Sequence, residues 1–414
     1  MRRAAPSSPH AHAAFDAPGA PAPTSAPYIS AASTMPAAPR LSATARMPTA
    51  PDARDACPEC LRRAWLLQTL SVRLAYRVRE PERLLQALGL PDEQLIQAFG
   101  GRRRTELIER HTSFAPAEHP AAPGVERVCR HDHRLPAPLR REGAPRMLHV
   151  RGGVERMTAL LAAPTVAIVG AGRASDYGME VAYGLARGLA ASGVTVIGGL
   201  ADGIAAAAHQ GALRAGAAGV TVMAGGVDVP TPASWRELHR RIAVEGCALS
   251  ELPCGSVPRT WCHVARTRTI AALARIVIAV EADDDPSELL AARLAQAAGA
   301  TVAAVPGRVS APGARGPHRL LREGALLVSE AQDVLDALYG VGERRAAASH
   351  PPLDSRLRAV LDRVSAGSDT VAKLIAADED PSGPSERDVL LALAQLECSG
   401  AVVRGDGGQY LACV

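Results

Sequence analysis

Two groups of residues have the types and spacing to hold a phosphate. The first lies in TVAIVGAGRASDYG (165–178), where an apolar run ends in Gly170, Ala171 and Gly172 and a helical pattern follows. Free backbone N–H groups at such a turn, backed by the positive end of a helix, favour an anion. Arg173 adds a mobile positive charge. The plainer alternative is that these glycines only permit a tight strand-to-helix turn. The second group is Arg266 and Arg268 in ARTRTIAALA (265–274), placed by the pattern at the start of a helix. Positive charge is unfavourable at that end of a helix, so two arginines there are read as functional, suited to charge-assisted hydrogen bonds with phosphate, against the plainer alternative of a solvated face.

Other chemistry is less well supported. A dinucleotide site is disfavoured, because Ser175 stands where G-x-G-x-x-G needs its third glycine. The next strand also ends in Gly198-Gly199 rather than in an acid for a ribose. Cys57-Pro58-Glu59-Cys60 is a CxxC, but a zinc site needs four ligands. Cys129, His131 and His133 are the candidates to complete it, about 70 residues away, and that loose spacing favours unpaired thiols or a helix start. No metal and no cofactor are assigned. His209, a lone histidine among small residues, reads as a packing residue. Glu251 and Glu281 fall at strand ends, without a partner pattern for acid–base work. GxSxG, HExxH and GxxxxGK[ST] are absent, and the chain is read as a binding protein rather than an enzyme.

The elements that would position these residues form a strand–helix alternation from about residue 147. Apolar runs at 165–170, 195–203, 219–226, 247–251, 275–282 and 301–307 alternate with helical stretches at 177–193, 204–216, 234–245, 265–274 and 287–298. Near-continuous apolar strands between helices predict a mostly parallel sheet covered on both faces, an α/β Rossmann-like, doubly wound domain over 147–340. Upstream, 57–114 is predicted as a small helical domain and 115–146 as an irregular Pro-rich connector. Residues 1–56, rich in Ala, Pro, Ser and Thr, are read as a disordered tail. Residues 341–352 are a linker. Residues 353–414 carry helical patterns and a terminal hairpin with a turn at Asp406, a winged-helix-like order.

Composition bounds the function. The chain has 414 residues, a net charge of +4 and one lysine, Lys373, among 46 basic residues. Residues 57–150 hold 16 Arg against 11 acids, 151–340 hold 17 against 17, and 341–414 hold 8 basic against 11 acidic. The alternating region is therefore neutral, and any phosphate binding there depends on clustering. Aromatics are 3%, which disfavours a base-stacking platform. Eight cysteines are too few for a disulfide scaffold at this length. No apolar run approaches a membrane span and the start lacks a secretory apolar core, so a cytoplasmic protein is expected.

The alternating region resembles the DNA-processing protein A family (DprA, also called Smf). VAIVGAGRASDYG is similar to the family's VAIVGSRxxSxYG, and GLADGIAAAAHQGAL (199–213) to its GLAxGIDxxAHxGAL. GGVDVPTPASWREL (225–238) is similar to CGLDxxYPxxNxxL, LSELPCGSVP (249–258) to LSEYPPGxxP, and ARTRTIAALA to RRNRIIAGLS. VEA, AVPG and GPHRLLREGALLV (316–328) follow in order, so the resemblance runs from about Leu135 to Leu338. It implies a Rossmann-like domain that binds single-stranded DNA, protects incoming strands in natural transformation and competence, and loads the recombinase RecA. It also implies a homodimer through that domain.

Residue by residue, the family's phosphate-binding Gly-Ser-Arg is Gly170, Ala171 and Gly172 here, with Arg173 one position late. Its Arg-Asn-Arg is Arg266, Thr267 and Arg268. Its Ser-Gly-Ser cradle falls at 286–291, preceded by Asp283, Asp284 and Asp285, and is expected to be lost. Two other readings stand beside DNA binding: a scaffold of the same fold without DNA affinity, and an enzyme acting on nucleotides.

Overall fold

A computed structural model of the chain describes residues 55–77, 80–217, 219–285, 287–346, 355–376, 385–398, 401–405 and 408–412. The predicted tail lies outside these residues except for its last two positions. So do the second half of the linker, 347–352, and the predicted turn at Asp406.

The core is a nine-stranded sheet. Its strands are β1 (Val125–Cys129), β2 (Met147–Arg151), β3 (Thr165–Val169), β4 (Thr195–Gly199), β5 (Val220–Val222), β6 (Cys247–Ser250), β7 (Ile276–Ala279), β8 (Thr301–Ala304) and β9 (Leu326–Leu327). They lie in the order β1-β2-β6-β5-β4-β3-β7-β8-β9. From β6 to β9 every neighbouring pair is parallel, while β2 pairs antiparallel with β6 and with β1. The sheet is α/β and mostly parallel, as the alternation predicts.

Period-two alternation splits each strand between two apolar layers. Val166, Ile168, Ile276 and Ile278 face one layer with α6 (Asp176–Ala191), α7 (Ile204–Arg214) and α12 (Ala331–Tyr339). Ala167, Ile197, Val222, Leu249 and Val277 face the other with α5 (Val154–Ala162), α9 (Thr260–Leu273) and α10 (Leu290–Ala297). Two further helices, α8 (Arg236–Glu245) and α11 (Arg315–Arg322), complete the crossovers.

Three expectations are corrected here. The segment 115–146 is no irregular connector, because it supplies β1 and buries Leu135 and Leu139 in the core. Its strand is masked in the sequence by Glu126 and Arg127. Arg127 is buried because its guanidinium donates to the Asp55 carboxylate and to the His119 carbonyl. The N-terminal helices are not a separate domain either. They are α1 (Pro58–Arg77), α2 (Pro81–Gly89), α3 (Asp92–Phe99) and α4 (Arg104–Thr112). Leu66, Leu70, Leu84 and Ile96 share one apolar cluster with Trp261, Cys262 and Ala265 of α9, and the Trp261 indole donates to Ser71 Oγ at 3.0 Å. Finally, α9 begins at Thr260, so Arg266 and Arg268 sit mid-helix and the dipole argument for them fails.

The C-terminal residues form α13 (Ser355–Ser365), α14 (Val371–Ala376), α15 (Glu386–Cys398) and the antiparallel pair β10 (Val402–Arg404) and β11 (Tyr410–Ala412), around Val360, Leu374, Leu393 and Val402. Among the described residues no helix is long and apolar enough to cross a membrane.

Two buried histidines make the fold acid-sensitive. Burial pushes His209 of α7 down to about 4, and burial followed by the Arg127 charge does the same to His149 of β2. Both unfold to an ordinary value near 6.5. The unfolded chain therefore binds more protons between those limits. Stability is complete above pH 6.5 and falls as pH drops toward 4, by about 3 kcal/mol per histidine. Urea midpoints measured from pH 7 to 4 should decline through this window; a flat series would contradict it.

Candidate nucleic-acid interface

The strand order reverses between β3 and β7, and open parallel sheets take ligands in the crevice beyond the carboxyl ends at such a point. A cleft of 620 Å³ lies there, walled by the turn Ala171–Gly172–Arg173, by Leu200 and Asp202 after β4, by His263 of α9 and by Asp283 and Glu288 after β7.

The turn after β3 is held by close backbone packing. Ala171 N–H donates to the Glu281 carbonyl at 2.6 Å, and the Ala171 carbonyl accepts from Ile204 N–H at 3.3 Å. A side chain at Gly170 would stand 2.5 Å from the Glu281 carbonyl oxygen. Arg173 projects from this turn and is exposed.

The helix end behind the turn does not await a phosphate. Ser175 caps α6, its hydroxyl accepting from Gly178 N–H at 3.1 Å. Glu281 then places its carboxylate on the same end, accepting from Ser175 N–H at 2.8 Å and Ser175 O–H at 2.6 Å. The anion position read into Gly170 and Gly172 is thus filled from within, which corrects the sequence expectation for that helix. Charge-assisted bonds at a helix N-terminus are worth about 1–2 kcal/mol. Glu281→Ala should lower the unfolding free energy by about that amount, and inorganic phosphate should restore part of it. A phosphate-independent thermal midpoint in the variant would count against this assignment.

Arg266 and Arg268, two residues apart, have different surroundings. Arg268 is buried, donates to Glu251 Oε2 and to the Gly143 carbonyl, each at 2.6 Å, and faces away from the cleft. Arg266 lies one helical turn beyond His263, behind the cleft wall, its guanidinium laid over Gly199 and donating to the carbonyl of the wall residue Leu200 at 3.4 Å. A side chain at Gly199 would meet that guanidinium at 2.8 Å. Gly198-Gly199, read in the sequence only as lacking a ribose-binding acid, therefore clears room for this cation. No carboxylate pairs with Arg266 among the described residues. Burial pushes its guanidinium down to about 10, so it stays charged at neutral pH.

The structure thus brings Gly170, Ala171, Gly172, Arg173 and Arg266 to one sheet edge and takes Arg268 elsewhere. The acidic loop borders the same edge, but α11 answers it. Arg315 lies 3.6 Å from Asp283, and Arg319 lies 2.9 Å from Asp284. Sequence reasoning missed these arginines, although their i, i+4 spacing marks one helix face. Asp285 turns back on Ser287 N–H at 2.7 Å, and α10 starts only at Leu290. His209 is buried against Gly198, a packing position as expected.

A doubly wound sheet with an uncompensated arginine beside its switch-point crevice, and an internal carboxylate on the N-terminus of α6, defines a Rossmann-like protein outside the dinucleotide-binding type. The sequence profile of the DNA recombination-mediator protein A family matches residues 126–339. A DprA-type DNA processing protein of Mycobacterium tuberculosis is 35% identical over 303 residues, covering 70% of this chain and 74% of the relative. DNA processing protein DprA of Streptococcus pneumoniae is 35% identical over 192 residues, 46% of this chain and 66% of the relative. The X-ray structure of the pneumococcal DprA superposes with a TM-score of 0.53 at 26% identity, covering 71% of this chain and 100% of that one. The chain belongs to the DNA recombination-mediator protein A (DprA/Smf) family.

Proposed function

We propose that this chain binds single-stranded DNA by its phosphates along the cleft at the carboxyl edge of the sheet. The observation that carries the reading is Arg266, a cation held directly behind the cleft wall on the Leu200 carbonyl, with no carboxylate partner among the described residues. Arg173 on the exposed turn supplies a second, mobile contact. With so few aromatics, affinity rests on phosphate contacts and not on stacked bases. Family membership supports the rest of the reading: a mediator that protects incoming strands in transformation, passes them to RecA and acts as a homodimer through the sheet domain in the cytoplasm. The Glu281 carboxylate on the N-terminus of α6 argues against the alternative of a nucleotide-processing enzyme.

The test is titration of a labelled oligonucleotide at two salt concentrations, with RecA-driven strand exchange as the second readout. Binding that weakens with salt supports the proposal. Absence of binding at low salt, with the fold intact, leaves the scaffold reading, which the acids at Asp283 and Glu288 on the rim favour.

A further inference from the structure

The fold assembles a donor set that the sequence leaves scattered. Cys57 precedes α1 and Cys60 lies in its first turn, so CxxC spacing turns both sulfurs to one side of the helix start. Cys129 ends β1, and His131 sits in the turn that follows. One donor atom from each of Cys57, Cys60, Cys129 and His131 lies within 4.8 Å of all the others. The three sulfurs stand 3.2, 3.7 and 3.9 Å from His131 Nδ1. A tetrahedral zinc with its usual bond lengths sets sulfur and imidazole nitrogen about 3.6 Å apart, in the middle of these distances. His133, the other sequence candidate, points into solvent with its side chain 92% exposed.

We propose that Cys57, Cys60, Cys129 and His131 form a structural zinc site. The assignment reverses the sequence expectation of no metal. Spacing along the chain disfavoured it, and spacing in the fold supports it. Four protein donors leave no position open for substrate, so the site is a staple and not a catalytic centre. Cys60 and Cys129 are buried, while His131 is exposed and offers the ion its way in. Zinc here ties the start of α1 to edge strand β1 and so fixes the helical layer that packs on α9.

The test uses the full chain purified under reducing conditions without chelator. Elemental analysis should find about one zinc per chain, released as the thiols are titrated with an organomercurial. Cobalt(II) exchanged into the unmodified protein should give the visible bands of a tetrahedral ion with thiolate charge transfer, a readout that needs no variant to fold. Cys129→Ser and His131→Asn should lose the zinc, whereas His133→Asn keeps it. Fully reduced protein that neither contains zinc nor takes up cobalt would overturn the proposal. So would a disulfide among the three cysteines in freshly prepared protein, or an octahedral cobalt spectrum.

Discussion

Arg266→Met weakens oligonucleotide binding about tenfold or more at low salt and leaves the fold at least as stable, while Arg268→Met does the reverse. The first half follows from charge. A charge-assisted bond to phosphate contributes about 1.5–3 kcal/mol. Removing one phosphate contact also flattens the salt dependence of single-strand binding by about 0.7 in the log–log slope. The stability half follows from burial. Arg266 is a desolvated cation without a counter-charge, so an apolar stem of similar length removes a cost and keeps the packing against Gly199. Arg268 is one member of a buried pair, and its loss strands Glu251, whose side chain is only 11% exposed. Breaking such a pair from one side costs about 3–5 kcal/mol. Paired thermal melts and titrations of the two variants decide the matter. Equal losses of affinity without loss of stability would show that both arginines reach the ligand.

Gly203→Ala should remove both stability and binding. Gly203 holds φ 68°, ψ −129°, a conformation that side chains avoid. A Cβ there would stand 2.4 Å from the Ala171 carbonyl oxygen and 2.8 Å from that of Gly172. Strain and overlap together cost at least about 3 kcal/mol, and the only relief is to push back the turn that carries Arg173. Gly184→Ala, in the middle of α6 with nothing within 4 Å of the added carbon, is the matched control. It should be neutral or gain up to about 1 kcal/mol. A Gly203→Ala protein that melts and binds like the parent would refute the packing described for this turn.

What the sequence made legible was whatever depends on local period. The strands around Val166, Ile197 and Ile276 stand out because buried parallel strands are apolar on both faces. The turn at Gly170 stands out because glycine marks a close approach. What stayed hidden depends on distant partners. β1 is interrupted by a charge that Asp55 neutralises from 72 positions away. The start of α9 is not legible because the run Trp261-Cys262-His263-Val264 has no helical signature of its own, Trp261 and Cys262 being buried in the cluster shared with α1 and α2 while His263 is exposed. That error of five residues put Arg266 and Arg268 at a helix end and made them look alike. The Cys and His donors, and Glu281 at Ser175, meet only when the sheet is assembled.

Glu281 on the end of α6 also bears on competition. A cell holds free nucleotides in far greater number than exposed strand ends, and an open helix terminus beside Arg173 would be open to them. A tethered carboxylate occupies that place at an effective concentration no dissolved anion matches. On the proposed reading, single phosphates find that helix end already occupied, and a polymer that reaches Arg173 and Arg266 through its own phosphates is the ligand that gains by entering.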